Sequence, residues 1–273
     1  MDLPQFVRQH LTIPTLPEVV LRINEVMAQP DTGCAEIGAL VAEDAPLAAK
    51  VLRLANSAFY GLAGRCGTTE HAATVLGIRV MRTIVMQVSV MGMYDHLDGG
   101  DAFSVRKLWE HASLTGHLSS RIARQANVPG LRPDEFFVCG LLHDVGKVVL
   151  LDGLGASYLE LVKRSTAEGT DLHHAEGQEL GFDHSQVGAL LARRWELPKM
   201  ISEAIELHHA PAGQIDANQV VSLVAHADVM AHRAEDGESM EDIFDPRFRD
   251  LFGLLEHDVI GLIEFAQDSR RAA

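Results

Sequence analysis

The run Phe136-Phe137-Val138-Cys139-Gly140-Leu141-Leu142-His143-Asp144-Val145-Gly146-Lys147-Val148-Val149-Leu150-Leu151 is apolar on every side of a helical projection. That is the pattern of a helix enclosed by other helices and not by water. Yet it carries His143, Asp144 and Lys147. A buried charge is costly unless it is paired, hydrogen-bonded or bound to a metal. The rest of the chain must therefore both wrap this segment and supply partners for its polar groups. Asp144 and Lys147 are three residues apart and can face each other on a helix. His143 beside Asp144 is also a nitrogen-plus-oxygen donor pair for a first-row divalent ion. Two readings stand open at this level: a structural His-Asp hydrogen bond with Lys147 as counter-charge, or a metal site.

The wrapping is helical. Apolar periodicity of helix length recurs along the chain, and no segment alternates like a strand between hairpin signals, so the fold class is all-α. Helices are predicted from near Pro17, over 33–43, 45–55, 69–76 and 78–95, and over 104–127. More follow the central run at 155–168 and 172–180, from a capping box of Asp183 and Gln186 to Pro198, and from Pro198 to His208-His209. One covers 219–233, and two short amphipathic helices fill 240–271. Asn56-Ser57-Ala58-Phe59-Tyr60-Gly61 reads as a helix end and turn. The polar, glycine-rich Asp98-Gly99-Gly100-Asp101 is a hinge between two lobes, 1–97 and 104–232. On the helix over 104–127, Val105, Leu108, Trp109, Ala112, Leu118 and Ile122 form the inner side. His111 at its edge points in, and His117, grouped with Ser113, Arg121 and Arg124, points out.

At 273 residues with 47% hydrophobic and 22% charged residues, the chain is globular and can bury a large core. A net charge of −15 disfavours holding nucleic-acid backbone or anionic lipid by the overall field. A local basic patch of Arg53, Arg65, Arg79 and Arg82 is a third, minor reading. Cys34, Cys66 and Cys139 are widely spaced, with no Cys-x-x-Cys pair, and read as reduced thiols. The N-terminus has no basic stretch followed by an apolar run, and the most apolar window, 83–93, is too short to span a bilayer. The expectation is a soluble, cytoplasmic protein without a membrane partner.

The inward or helix-end groups collect in order as His111, His143-Asp144, Lys147, His184, His208-His209 and Asp228. Of the 14 histidines, His10, His71, His96 and His257 read as solvated surface groups. A lone helical histidine is ordinarily structural, but a His pair beside a His-Asp pair in a core helix favours a metal site.

This ordered set resembles the HD-domain superfamily of metal-dependent phosphohydrolases, with its H…HD…D pattern at His111, His143-Asp144 and Asp228. It is most similar to the HDOD branch, a family of bacterial signal-output domains. In the first lobe the resemblance rests on Leu16-Pro17, the stretch Asp44-Ala45-Pro46-Leu47 to Arg53, Leu54-Ala55-Asn56-Ser57 and Leu76-Gly77. In the second it rests on Gly140 to Lys147, Gly181-Phe182-Asp183-His184, Trp195-Glu196-Leu197-Pro198 and His208-His209. It covers roughly 11–232 and leaves 240–273 as C-terminal helices. Carried over from the related HD-GYP phosphodiesterases of cyclic di-GMP, it implies that His111, His143, Asp144 and Asp228 hold one metal. Asp144 would bridge to a second metal held by His184, His208 and His209, with Lys147 over a substrate phosphate. The implied cofactor is one or two ions of iron, manganese or zinc. Two departures stand out: Lys107 lies four residues before His111, where relatives with a third metal place Glu, and Ala210-Pro211-Ala212-Gly213 replaces the Gly-Tyr-Pro signature. The resemblance thus implies a bacterial signal-transduction regulator that acts through a signalling protein partner and retains a metal-capable site. The alternative it leaves is a metal-dependent phosphohydrolase or phosphodiesterase acting on a nucleotide or cyclic dinucleotide through Asp144 and Lys147.

Overall fold

The computed structural model describes residues 3, 6–7, 15–29, 32–57, 60, 66–97, 99–100, 103–126, 132–215, 218–238 and 246–272. His10, Ala58, Phe59, Gly61, Arg65, Asp98 and Asp101 of the sequence analysis lie outside them. Among the described residues the protein is all-α, with no strand. No described helix is long and apolar enough to cross a membrane. All three cysteines are free, Cys66 and Cys139 buried.

The chain forms two compact units, divided between Asp95 and His96. The first contains α1 (Glu18–Met27), α2 (Cys34–Ala42), α3 (Ala45–Ala55), α4 (Thr69–Leu76) and α5 (Ile78–Met93). Capping side chains set the starts of α3 and α4: Asp44 accepts from the Leu47 amide at 3.0 Å, and Thr68 from that of His71 at 3.1 Å. Asn56 closes α3 and clasps the backbone of Cys66 with both halves of its amide, at 2.9 and 3.1 Å. This motif residue is therefore structural.

The second unit contains α6 (Val105–Gln125), α7 (Pro133–Leu142), α8 (Val145–Leu154), α9 (Ala156–Glu168), α10 (Leu172–Leu180), α11 (His184–Arg194), α12 (Lys199–Leu207), α13 (Ala212–Ile215), α14 (Gln219–Asp236), α15 (Pro246–Phe252) and α16 (Glu256–Ala272). Phe6 belongs here too: its ring lies 4.7 Å from that of Phe182. From Phe136 to Leu142 every residue of α7 is buried, as an all-apolar helix requires. Its backbone meets α6 closely: a Cβ on Gly140 would stand 2.8 Å from the Gly116 Cα.

Two expectations are corrected. The run 136–151 is not one helix: α7 ends at Leu142, and α8 starts at Val145. Asp144, at φ −100° and ψ 7°, leaves the helical region. On an unbroken helix neighbouring side chains point roughly 100° apart. The break lets His143 and Asp144 turn into the same space. His117 does not point to water either. It lies between α7 and α16, its ring 4.8 Å from that of Phe137 and 6.2 Å from that of Phe265, and burial lowers its pKa to about 3. Arg121 one turn on caps the same ring of Phe265 at 3.9 Å, so α16 covers this side of α6.

Candidate metal centre

Five places in the second unit deliver the polar groups. His111 comes from α6, and His143 and Asp144 from the α7–α8 break. His184 opens α11, where the Asp183–Gln186 capping box sets the first turn. His208 and His209 follow the end of α12, and Asp228 lies on α14. The approach of α8 to α11 depends on Gly146: a Cβ there would stand 1.8 Å from the His184 carbonyl oxygen.

Each of four imidazoles is tethered through Nδ1. His143 donates to the Gly140 carbonyl at 2.7 Å and His208 to that of Ile205 at 2.7 Å. His184 donates to Glu176 at 2.6 Å, and His111 to Glu235 at 3.1 Å. The remaining nitrogen, Nε2, turns inward in every case. On one side, the Nε2 atoms of His111 and His143 lie 2.9 and 3.4 Å from Asp228 Oδ1. On the other, those of His184 and His208 lie 3.2 and 3.7 Å from Asp144 Oδ1. The His184 and His209 Nε2 atoms face each other at 3.2 Å. Asp144 Oδ2 accepts from Lys147 at 2.6 Å and lies 3.4 Å from His143. Donor atoms of Asp144, His184, His208 and His209 form one group within 4.8 Å of one another, and those of His111, His143 and Asp228 a second.

The fit to a cation shows in what these atoms lack. His143 Nε2, Asp144 Oδ1 and His208 Nε2 are buried without a hydrogen bond of acceptable geometry. Buried polar atoms are normally satisfied, and three orphans aimed at one place fit an ion. Tethering of Nδ1 is also how metal-binding histidines are oriented. The donor set suits iron, manganese or zinc.

Electrostatics agree. Burial works to raise Asp144 and Asp228. It is outweighed by Lys147 and His143 at Asp144, and by His143 and His111 at Asp228, so both stay well below the usual carboxylate range. Burial works to lower His143, His111 and His184. Their acidic neighbours outweigh it, raising His143 to about 10 and the other two to about 9. Without a metal, protons occupy the nitrogens that would bind it. Histidine in the unfolded chain titrates near 6.5, so the stability from these protons is complete below that pH and lost as pH rises through 9 to 10. The melting temperature of metal-stripped protein is therefore expected to fall between pH 7 and 10. Over the same range metal binding should strengthen, since it displaces those protons. A flat melting profile would contradict a protonated cluster.

All the predicted residues, His111, His143, Asp144, Lys147, His184, His208, His209 and Asp228, come together here. Lys107 is exposed and adds nothing to the centre. Sequence reasoning missed Glu176, which is wholly buried and holds both the backbone N–H (2.8 Å) and the Nδ1 of His184. Its other oxygen accepts from the Tyr158 hydroxyl at 2.6 Å; burial, with Glu176 beside it, pushes that hydroxyl well above its usual range and keeps it a donor. One signal was present: Glu176 falls on the Leu172–Leu180 line of α10, the face that turns inward. Glu235 and His232 were also missed. They lie seven and four residues after Asp228 on α14, and His232 stacks on His111 at 4.1 Å. Partners of this kind typically set metal affinity within 10–100-fold. Glu176→Ala is thus expected to weaken binding at the His184 group by roughly that factor, measured by competition with a chelator. Unchanged affinity would make Glu176 a packing residue only.

The centre forms one wall of an open cavity of about 780 Å³, reached by Lys147, His184, His208, His209 and Asp228.

A family model for the HDOD domain matches residues 13–211. An uncharacterized protein of Treponema pallidum (strain Nichols) is 29% identical over 228 residues, which is 83% of this chain. The chain spans 43% of that relative's length. The crystal structure of an HDOD domain protein of unknown function from Geobacter sulfurreducens matches with a TM-score of 0.74 at 27% identity, covering 98% of this chain and 90% of that one. A Shewanella amazonensis SB2B protein, whose structure is described as that of a "putative phosphohydrolase", matches with a TM-score of 0.75 at 23% identity, covering 99% and 98%.

Proposed function

This chain belongs to the HDOD domain family, and we propose that its second unit is a metal-dependent phosphohydrolase centre. One observation carries the reading. Four tethered imidazoles and two carboxylates converge, with three of their donor atoms buried and orphaned, and His184, His208 and Asp228 of this set reach the wall of a cavity open to solvent. A purely structural polar cluster would close its hydrogen bonds and would need no cavity.

Divalent ions bound here would supply Lewis acidity toward a phosphoryl group and the water that attacks it. The chain's own residues then divide the work. Asp144 turns one oxygen toward His184 and His208 and the other toward His143, the arrangement of a bridging ligand. Lys147 stays protonated: burial opposes its charge, but Asp144 outweighs burial and raises its pKa. Its side chain is 14% exposed at the cavity wall and has three donors, of which Asp144 takes one. The others are available to a phosphate oxygen. Asp228 and Asp144 are held ionised and would offset part of the positive charge of bound divalent ions, so a phosphoester would meet a cationic site.

The test is hydrolysis by full-length protein loaded with manganese, with zinc, or with ferrous iron under anaerobic conditions. Substrates are p-nitrophenyl phosphate, its diester, nucleoside phosphates and cyclic dinucleotides. Turnover that needs the metal and drops at least about 100-fold in His208→Ala is expected. Protein that holds two ions and turns over none of these esters would reject the reading.

That result would leave the second reading, a signalling regulator acting through a protein partner, with the centre as a structural or sensory site. The replacement of the Gly-Tyr-Pro signature by Ala210-Pro211-Ala212-Gly213 favours it.

A further inference from the structure

We propose that the cavity before the centre holds an apolar subsite, formed by Val229 of α14 and Leu251 of α15, for the uncharged organic part of an ester bearing a single phosphate group. The proposal rests on the phosphohydrolase reading and deepens it by naming a substrate class.

Scattered exposed aliphatic side chains need no explanation. These two are not scattered. Val229 is 43% exposed and Leu251 46%; they come from different helices, and both line the cavity whose other wall is the centre. Val229 directly follows Asp228, so α14 presents the carboxylate to the centre and the aliphatic group to the cavity from consecutive positions. Leu251 is held by packing: Phe248, 1% exposed, stacks on His226 at 4.3 Å and 17° and touches Phe252 at 4.7 Å. Two aliphatic groups kept in water beside a polar centre fit a ligand with one anionic end and one apolar end.

The charges limit the anionic end. Lys and Arg on the described cavity wall are Lys147, bonded to Asp144, and Arg233, 3.7 Å from Glu238. A polyphosphate would need several further cations, whereas one phosphate needs only the centre. Both subsite residues also lie beyond residue 211, where the HDOD match ends. The selectivity is therefore built by this chain's own C-terminal part.

The experiment is isothermal titration calorimetry of manganese-loaded full-length protein with phenylphosphonate and with methylphosphonate. These share the anion and cannot be hydrolysed at their C–P bond. Phenylphosphonate is expected to bind about tenfold tighter. Leu251→Asn and Val229→Thr, which add no charge, should each abolish that preference and leave methylphosphonate affinity in place. Both positions are exposed enough to accept a polar group, and a melting curve of each variant checks the fold. Equal affinity of the two probes in wild type, or a preference that survives both substitutions, overturns the subsite and leaves the hydrolase reading standing. Binding of neither probe overturns both.

Discussion

Asp144→Ala is expected to strip the protein of all bound transition metal and to abolish phosphoester hydrolysis. Asp144 is the one residue whose oxygens face both donor groups, one toward His184 and His208 and the other toward His143. Its removal deprives each side of a ligand, whereas loss of His111 or His209 touches one side only. Stability should fall as well. Asp144 is 2% exposed, and its carboxyl group is the hydrogen-bonded partner of the Lys147 ammonium. Leaving a buried charge without its partner costs roughly 3–5 kcal/mol. The imidazoles can relieve their share of this by releasing protons near neutral pH; Lys147 has no such route without a large drop in pKa. The double variant Asp144→Ala/Lys147→Met separates the two effects. It should recover much of the lost melting temperature, because the orphan charge is gone, and recover no metal. Elemental analysis beside thermal denaturation reads both. If the double variant melts as low as the single one, the ion pair is not what Asp144 contributes to the fold. If Asp144→Ala keeps two ions per chain, the bridging role is wrong.

Gly146→Ala is the second large effect, and it acts through one atom. The added Cβ would lie 1.8 Å from the His184 carbonyl oxygen and 2.8 Å from the Gly188 amide nitrogen. Both neighbours are backbone, so no rotamer change makes room, and α8 must move away from α11. Overpacking of this kind costs about 3 kcal/mol. In a unit of this size that lowers the melting temperature by roughly 6–12 °C. His184 rides on the displaced turn, so metal affinity should fall together with stability. The matched control is Gly177→Ala on α10, where a Cβ meets nothing within 4 Å. There alanine should be neutral or stabilise by roughly 0.5–1 kcal/mol through its better helix propensity. Equal melting temperatures for the two variants would mean that α8 and α11 are not in contact through Gly146.

Much of the second unit was legible because a buried helix cannot hide its exceptions. An apolar run with a His, an Asp and a Lys in it announces both a core position and an unpaired polar demand. Asp183 with Gln186, and Pro198 before α12, marked helix starts that place His184 and His208-His209 at helix ends, where side chains are free to turn inward. The α7–α8 break was not legible. Leu142, His143, Asp144 and Val145 carry no glycine or proline among them, and local propensity allows the helix to continue; the break shows only in the Asp144 backbone, at φ −100° and ψ 7°. His117 was misplaced for a related reason. Its neighbours on α6 are polar, and only the arrival of Phe265 from α16 covers it.

The sequence by itself determined that the chain is helical, where its core helix lies, and which imidazoles and carboxylates need partners. Those are consequences of periodicity, capping and the cost of burying charge, all local to a few turns. Tertiary structure alone decided the pairing: Glu176 behind His184, Glu235 behind His111, and Leu251 opposite the centre. The first two join residues 8 and 124 positions apart along the chain, and which helices meet depends on close approaches such as that of Gly146 to His184, to which no local pattern is sensitive.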